Sequence, residues 1–234
     1  MKIQNVAPDP LVLINFKTYL EATGKRAVEL TREIAAIGRK SGVKVGVAPQ
    51  FCDVTHVALQ EDVLVFAQHM DAIDPGAFTG QVLAESLKAA GASGTLLNHS
   101  EHMLRLSEIQ RAVNRARELG LLTVVCAGNA DLAAAVSLLG PDMVAIEPPE
   151  LIGSGRAVSK EKPEVIENSV RKIRAVNGSV RILCGAGIST GDDVYAALKL
   201  GVQGVLVASG VVRSSHPDRV MSDFCQAARR FGEL

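Results

Sequence analysis

The chain has no tryptophan and only two tyrosines and six phenylalanines, so it offers few aromatic faces on which bases could stack. It has no excess charge of either sign, because Lys+Arg 25 balance Asp+Glu 25. That removes any bulk electrostatic argument for nucleic acid or an anionic membrane, and neither is expected as a partner. Long apolar runs are missing as well. The longest candidate, Leu119–Ala127, is interrupted by Gly120 and Thr123, far short of the ~20 residues that cross a bilayer. Met1-Lys2-Ile3-Gln4-Asn5 meets Pro8 and Pro10 before any apolar stretch, which does not read as a secretory leader. The expected location is the cytoplasm. Cysteine is scarce: Cys52, Cys126, Cys184 and Cys225 form no C-x-x-C pair and lie in or beside apolar stretches. All four are expected as buried, reduced thiols. The five histidines (His56, His69, His99, His102 and His216) show neither H-x-x-x-H nor H-x-H spacing. His99 and His102 could share a helix face, but no carboxylate or cysteine set beside them completes a zinc site. No metal is expected.

What is present is ordinary globular usage, 47% hydrophobic and 21% charged over 234 residues. This fits one domain of ~250 residues or two half that size, and excludes disordered and fibrous classes. Short apolar runs recur about every thirty residues: Leu11–Asn15, Val43–Ala48, Val63–Gln68, Gly94–Asn98, Leu122–Cys126, Met143–Glu147, Val180–Cys184 and Gly204–Ala208. Each is nearly continuous rather than alternating, as in parallel strands covered on both faces. Helical segments lie between them. Lys25–Arg39 carries Val28, Ile34, Ala35 and Ile37, and Leu106–Leu119 sets Ile109, Ala112, Val113 and Ala116 against three arginines. Pro163–Val176 opens with the proline that suits a first turn. Thr190–Leu200 follows Ser189 as its cap and stops at Gly201. Eight strands and about eight helices without a long linker predict a single α/β domain over 1–234, a (β/α)8 TIM barrel. A doubly wound open sheet is the alternative, but its usual glycine-rich turn after the first strand is replaced here by Asn15-Phe16-Lys17-Thr18.

Barrel chemistry sits at the carboxyl ends of the strands. Here those ends are Asn15 with Lys17, then Asn98-His99-Ser100-Glu101, then Glu147 before Pro148-Pro149-Glu150-Leu151-Ile152-Gly153-Ser154-Gly155. Gly185-Ala186-Gly187-Ile188-Ser189 and Ala208-Ser209-Gly210-Val211 follow. Taken singly, each has an ordinary reading: a solvated lysine, a histidine satisfying a carbonyl, a structural carboxylate, turn glycines. Together they bring a cation, an imidazole, a carboxylate and two small-residue turns to one rim. Gly187 lets backbone N–H groups approach an anion. Ala208–Val212 reads as a short extra turn facing the same place.

Nearly the whole chain, from Val12 to about Ser214, resembles the triosephosphate isomerase family, in its shorter archaeal-type branch. The resemblance rests on Asn15-Phe16-Lys17, Asn98-His99-Ser100-Glu101 and Ala145-Ile146-Glu147-Pro148-Pro149 with Ile152-Gly153. It implies that dihydroxyacetone phosphate and glyceraldehyde 3-phosphate are interconverted through an enediolate, without cofactor. Glu147 would be the base, His99 the electrophile, Lys17 the substrate-facing cation and Asn15 its neighbour. Asn15, Phe16, Lys17, Ile152, Gly153, Gly187, Ser189, Ala208 and Ser209 would hold the substrate and its phosphate. Pro148–Arg156 would close over the site as a lid, and a helix starting at Ser100-Glu101 would keep His99 neutral. The resemblance also implies a homo-oligomer, at least a dimer and in this branch also a tetramer, with Asp71–Gly80 reaching into a neighbouring subunit. The chain departs from the widespread family pattern at Cys184-Gly185-Ala186-Gly187, where Tyr-Gly-Gly-Ser is usual, so the lid must be latched differently. His102 stands where arginine is common.

Two rival enzymes are disfavoured by the same rim. A Schiff-base aldolase needs lysine where Glu147 stands, and a metal-dependent sugar-phosphate epimerase needs several His and Asp ligands. A barrel kept only as a scaffold predicts loss of Lys17, His99 or Glu147, and all three are present.

Overall fold

In the computed structural model, which describes residues 10–60, 62–151 and 157–233, eight parallel strands close into a barrel in chain order. They are β1 (Leu11–Asn15), β2 (Lys44–Ala48), β3 (Leu64–Ala67), β4 (Gly94–Leu97), β5 (Leu122–Ala127), β6 (Met143–Ile146), β7 (Arg181–Gly185) and β8 (Gly204–Val207). The helices are α1 (Lys25–Ser41), α2 (Val54–Ala58), α3 (Ala84–Ala89), α4 (Leu106–Glu118), α5 (Ala130–Ser137), α6 (Val158–Glu161), α7 (Pro163–Val176), α8 (Gly191–Lys199), α9 (Ser209–Val212) and α10 (Pro217–Gly232). The runs read from the sequence coincide with the strands to within a residue or so at each end. The short extra turn expected at Ala208–Val212 is α9, and a further short helix, α6, precedes α7.

The continuous apolar runs are explained by two cores. One face of each strand fills the barrel: Leu11, Leu13, Phe66, Leu96, Val124 and Leu206 pack there. The alternate face, with Val12, Ile14, Val47, Val65, Val125 and Val205, packs against the helices. A strand with no wet face needs no polar alternation. Glycine is required where strands crowd: a Cβ on Gly94 would lie 2.4 Å from the Leu122 carbonyl oxygen, and one on Gly204 2.4 Å from that of Leu11.

Three local expectations are corrected. α1 buries Ala27, Leu30, Ile34, Ala35 and Gly38, and Val28 and Ile37 are only partly covered. The tight pole of that face is Gly38, where a Cβ would sit 2.6 Å from Val45 Cγ2. α8 is capped by Thr190 rather than Ser189, with the Thr190 hydroxyl accepting from the Asp193 N–H. Cys52 is exposed in the short 3-10 turn Phe51–Asp53, while Cys126, Cys184 and Cys225 are buried. The α4 face, Ile109, Ala112, Val113 and Ala116, is buried as expected.

Candidate active site

Strand alternation delivers most of the rim. Leu11 and Leu13 point into the barrel, so period two carries Asn15 inward above them, and Lys17, two residues past the strand, lines the same cleft. The same parity takes Met143 and Ala145 to Glu147. These residues line one cleft at the carboxyl end of the barrel, together with His99, Gly187, Ser189, Ala208 and Ser209. Phe16, out of parity, is fully buried in the layer between barrel and helices, so it supports the rim without lining it.

Lys17 is held in an uncommon conformation, at φ 47, which L-residues adopt at a cost. Its N–H donates to Asn15 Oδ1 at 2.9 Å and its carbonyl accepts from Gln68 Nε2 at 2.8 Å. Gln68 also donates to the Ala48 carbonyl at 3.0 Å, so it ties the ends of β1 and β2 together under the lysine. The ammonium then reaches Glu101 Oε1 at 2.7 Å. Gln68 was missed as a site residue, although it is the polar residue that ends the third apolar run.

His99 is out of parity, since a residue after Leu97 and Asn98 should face the helices. Asn98 takes φ 57 and turns the chain. Its side chain locks the turn, donating to the Cys126 carbonyl at 3.0 Å and accepting from the Leu104 N–H at 2.9 Å. No helix starts at Ser100-Glu101; α4 begins at Leu106, so a helix terminus does not act on His99. The backbone instead sets the tautomer. The Glu101 N–H donates to His99 Nδ1 at 3.2 Å, which occupies that lone pair and leaves the proton on Nε2. His99 Nε2 faces Glu147 Oε2 at 3.7 Å.

Glu147 is buried just beyond β6, its N–H bonded to the Ala127 carbonyl at 2.9 Å. Its Oε2 has no hydrogen-bond partner. A buried, unpaired carboxylate oxygen is costly, and such atoms mark functional positions. The space for this side chain is made by Gly185: a Cβ there would lie 2.5 Å from Glu147 Cγ. Burial first, then the Glu147 charge and a hydrogen bond to it, pushes the Cys126 thiol far up. Burial and the same charge push Cys184 up too. Both thiols stay protonated.

The two turns opposite are built for close approach. Ala186 and Gly187 are both left-handed, at φ 79 and φ 72, and Gly210 touches the first turn so closely that a Cβ would be 2.7 Å from the Ile188 carbonyl oxygen. The first N–H groups of α9, on Ser209 and Gly210, have no partner within their own helix. Ser189 behaves differently from expectation. Its N–H and hydroxyl both go to Asp193 Oδ2, at 3.0 and 3.3 Å, so it supports the turn instead of offering donors to an anion. Ile152 and Gly153, with the rest of the expected lid tip, lie outside the described residues. Among the described residues, no cluster of His, Cys, Asp or Glu could hold a metal ion.

Comparison with known proteins agrees with the geometry. The model of the family described as triosephosphate isomerase matches residues 10–228. A triosephosphate isomerase of Methanobacterium bryantii is 48% identical over 221 residues, covering 94% of this chain and 98% of that protein. One from Methanothermobacter thermautotrophicus is 50% identical over 214 residues, covering 92% and 93%. Among solved structures, the triosephosphate isomerase of Bartonella henselae superposes with a TM-score of 0.76 at 21% identity over 94% of this chain and 99% of that one, which bears on the fold alone.

Proposed function

The chain belongs to the triosephosphate isomerase family, and from that premise we propose how its rim residues divide the interconversion of dihydroxyacetone phosphate and glyceraldehyde 3-phosphate. The Glu147 carboxylate takes a proton from the substrate carbon beside the carbonyl, and the electron pair moves into the carbonyl oxygen. His99 Nε2–H donates to that oxygen as it becomes negative, then passes protons between the two neighbouring oxygens. Glu147 returns its proton to the adjacent carbon, and the isomer is complete. A carbon acid needs a base aimed at carbon and a partner for the developing oxyanion. The use of a neutral histidine beside a glutamate base is the general pattern of this family and not peculiar to this chain. Lys17 adds a fixed positive charge at the oxyanion, and Asn15 fixes Lys17. Gly187, Ala208 and Ser209 present backbone N–H groups to the phosphate.

One observation carries this reading: a buried carboxylate with an unpaired oxygen stands 3.7 Å from an imidazole nitrogen that the backbone keeps as a donor. The test is a coupled assay of glyceraldehyde 3-phosphate turnover with a chelator present. Turnover supports the reading. Its absence overturns the reading, and trapping of substrate on a lysine by borohydride would put aldolase chemistry in its place.

The chain is read as one domain over 1–234, working in the cytoplasm as a homo-oligomer. Among the described residues no helix is long and apolar enough to cross a membrane. The loop from Asp71 to Gly80 supports assembly. It is cinched at its base by Asp71, whose N–H donates to the Val82 carbonyl at 2.9 Å and whose Oδ2 accepts from the Val82 N–H at 2.6 Å. Beyond the clasp it holds Phe78 45% exposed, beside Thr79, which would complete a neighbour's site. An apolar ring presented on a clasped loop fits an interface anchor. Phe78→Asp should dissociate the oligomer at micromolar concentration. An unchanged sedimentation coefficient would remove the loop from the interface.

A further inference from the structure

We propose that Asp193, seated at the start of α8 and outside the cleft, is the positioning residue for the phosphate-binding turn, and that it anchors this turn to the segment Ala157–Lys162. The inference rests on the isomerase reading of the cleft. The Asp193 side chain is almost wholly buried, yet it is fully employed. Its Oδ2 accepts the Ser189 N–H at 3.0 Å, the Ser189 hydroxyl at 3.3 Å and the Thr190 N–H at 2.9 Å. Its Oδ1 takes the Lys160 ammonium at 2.6 Å. Two further bonds join the same segments: the Val158 N–H donates to the Ala186 carbonyl at 3.2 Å, and the Ser159 hydroxyl to the Asp193 carbonyl at 3.1 Å.

The turn needs such an anchor. Ala186 is left-handed without being glycine, and Gly187 after it is left-handed too. An L-residue holds that conformation only where its surroundings over-determine it. The Val158 bond fixes the turn at Ala186 and the Asp193 carboxylate fixes it at Ser189 and Thr190, so Gly187, between them, is held in place at the cleft. Charge-assisted bonds to a buried carboxylate are the strong kind. Burial alone would raise the Asp193 carboxyl, but Lys160 and the Ser189 and Thr190 donors outweigh it and hold the group below the usual aspartate range. Lys160 is raised by the same pairing. Asp193 touches neither substrate nor reacting atoms; it acts through Ser189 and the backbone.

The test separates phosphate recognition from chemistry. Wild type, Asp193→Ala and Asp193→Asn are assayed on glyceraldehyde 3-phosphate and on glyceraldehyde, which lacks the phosphate, with inorganic phosphate as competitive inhibitor. In Asp193→Ala the KM for the phosphorylated substrate and the inhibition constant of inorganic phosphate should rise together, by about tenfold. kcat/KM on glyceraldehyde should stay within about twofold of wild type, since Glu147, His99 and Lys17 are untouched. Asparagine keeps an oxygen for Ser189 and Thr190 while losing the charge for Lys160, so Asp193→Asn should fall between. Asp223 provides the control. It also ties down the start of α8, accepting the Gly191 N–H at 2.5 Å, but does not touch the turn, so Asp223→Asn should leave phosphate inhibition unchanged. An unchanged phosphate inhibition constant in Asp193→Ala overturns the proposal. So does an equal loss on both substrates, or an equal weakening by Asp223→Asn. The underlying reading fails in a different way, by a wild-type protein that does not turn over glyceraldehyde 3-phosphate at all.

Discussion

Glu147→Gln should bind substrate about as well as wild type and lose kcat by ~10³-fold or more. The amide has the shape of the carboxylate but cannot take a proton from carbon. The buried oxygen without a partner makes the expectation asymmetric. Removing a buried charge, one of whose oxygens has no hydrogen-bond partner, should leave the melting temperature unchanged or raised, so loss of activity cannot be laid to unfolding. Steady-state kinetics alongside a thermal melt check both halves. A variant keeping more than a tenth of normal kcat would take the base role away from Glu147.

Gly185→Ala should be nearly as severe, by a different route. The added methyl would meet Glu147 at 2.5 Å from Cγ, 2.8 Å from Oε1 and 3.0 Å from Cδ. No real Cβ tolerates this, and the movable party is the base itself. Displacing a catalytic group by about 1 Å costs on the order of 10²-fold, so kcat/KM should fall by about that factor. The fold should lose only about 1–3 kcal/mol, as overpacking does. Coupling identifies the cause: in a Glu147→Gln background the same alanine should lower residual activity little further, because both changes remove one function. Additive losses would show that Gly185 acts through something other than Glu147.

These two residues show what can be read from a sequence and what cannot. Glu147 was legible because it ends an apolar run, and strand parity carries it inward without any further information. Asn15 was legible for the same reason, whereas Lys17 was found by its place just after the run and turns on its left-handed backbone. The purpose of Gly185 was not, because it depends on a side chain from a different strand. His99 could be named but not oriented. Its direction depends on the left-handed turn at Asn98, and its tautomer on the Glu101 N–H where a helix dipole had been expected. Ser189 was expected at the phosphate by family resemblance, and as a helix cap by its place before Thr190. The carboxylate that claims them, Asp193, stands only four residues on, but nothing local says that a turn of α8 brings it back. Cys52 was expected inside because it lies beside an apolar stretch, yet it sits with Phe51 on a turn at the surface. The repeating strands were secure throughout, since burial on both faces leaves a mark in the composition itself.

The pairing of β1 with β8, Leu11 opposite Gly204 through Ile14 opposite Val207, has a consequence for how the protein is made. Of the eight barrel strands, the first to be made is stitched to the last. Until β8 emerges, a nascent chain carries two unpaired strand edges, and the interior ring of Leu11, Leu13 and Leu206 is missing a member. Open edges and uncovered apolar surface invite pairing with other chains. The long sequence separation between the closing strands also makes this the entropically costly step. α10 then packs on α1 and α8 and seals the seam. The fold therefore first becomes safe from its neighbours only once β8 and α10 are in place, and a chain terminated before Gly204 is one for chaperones or proteases.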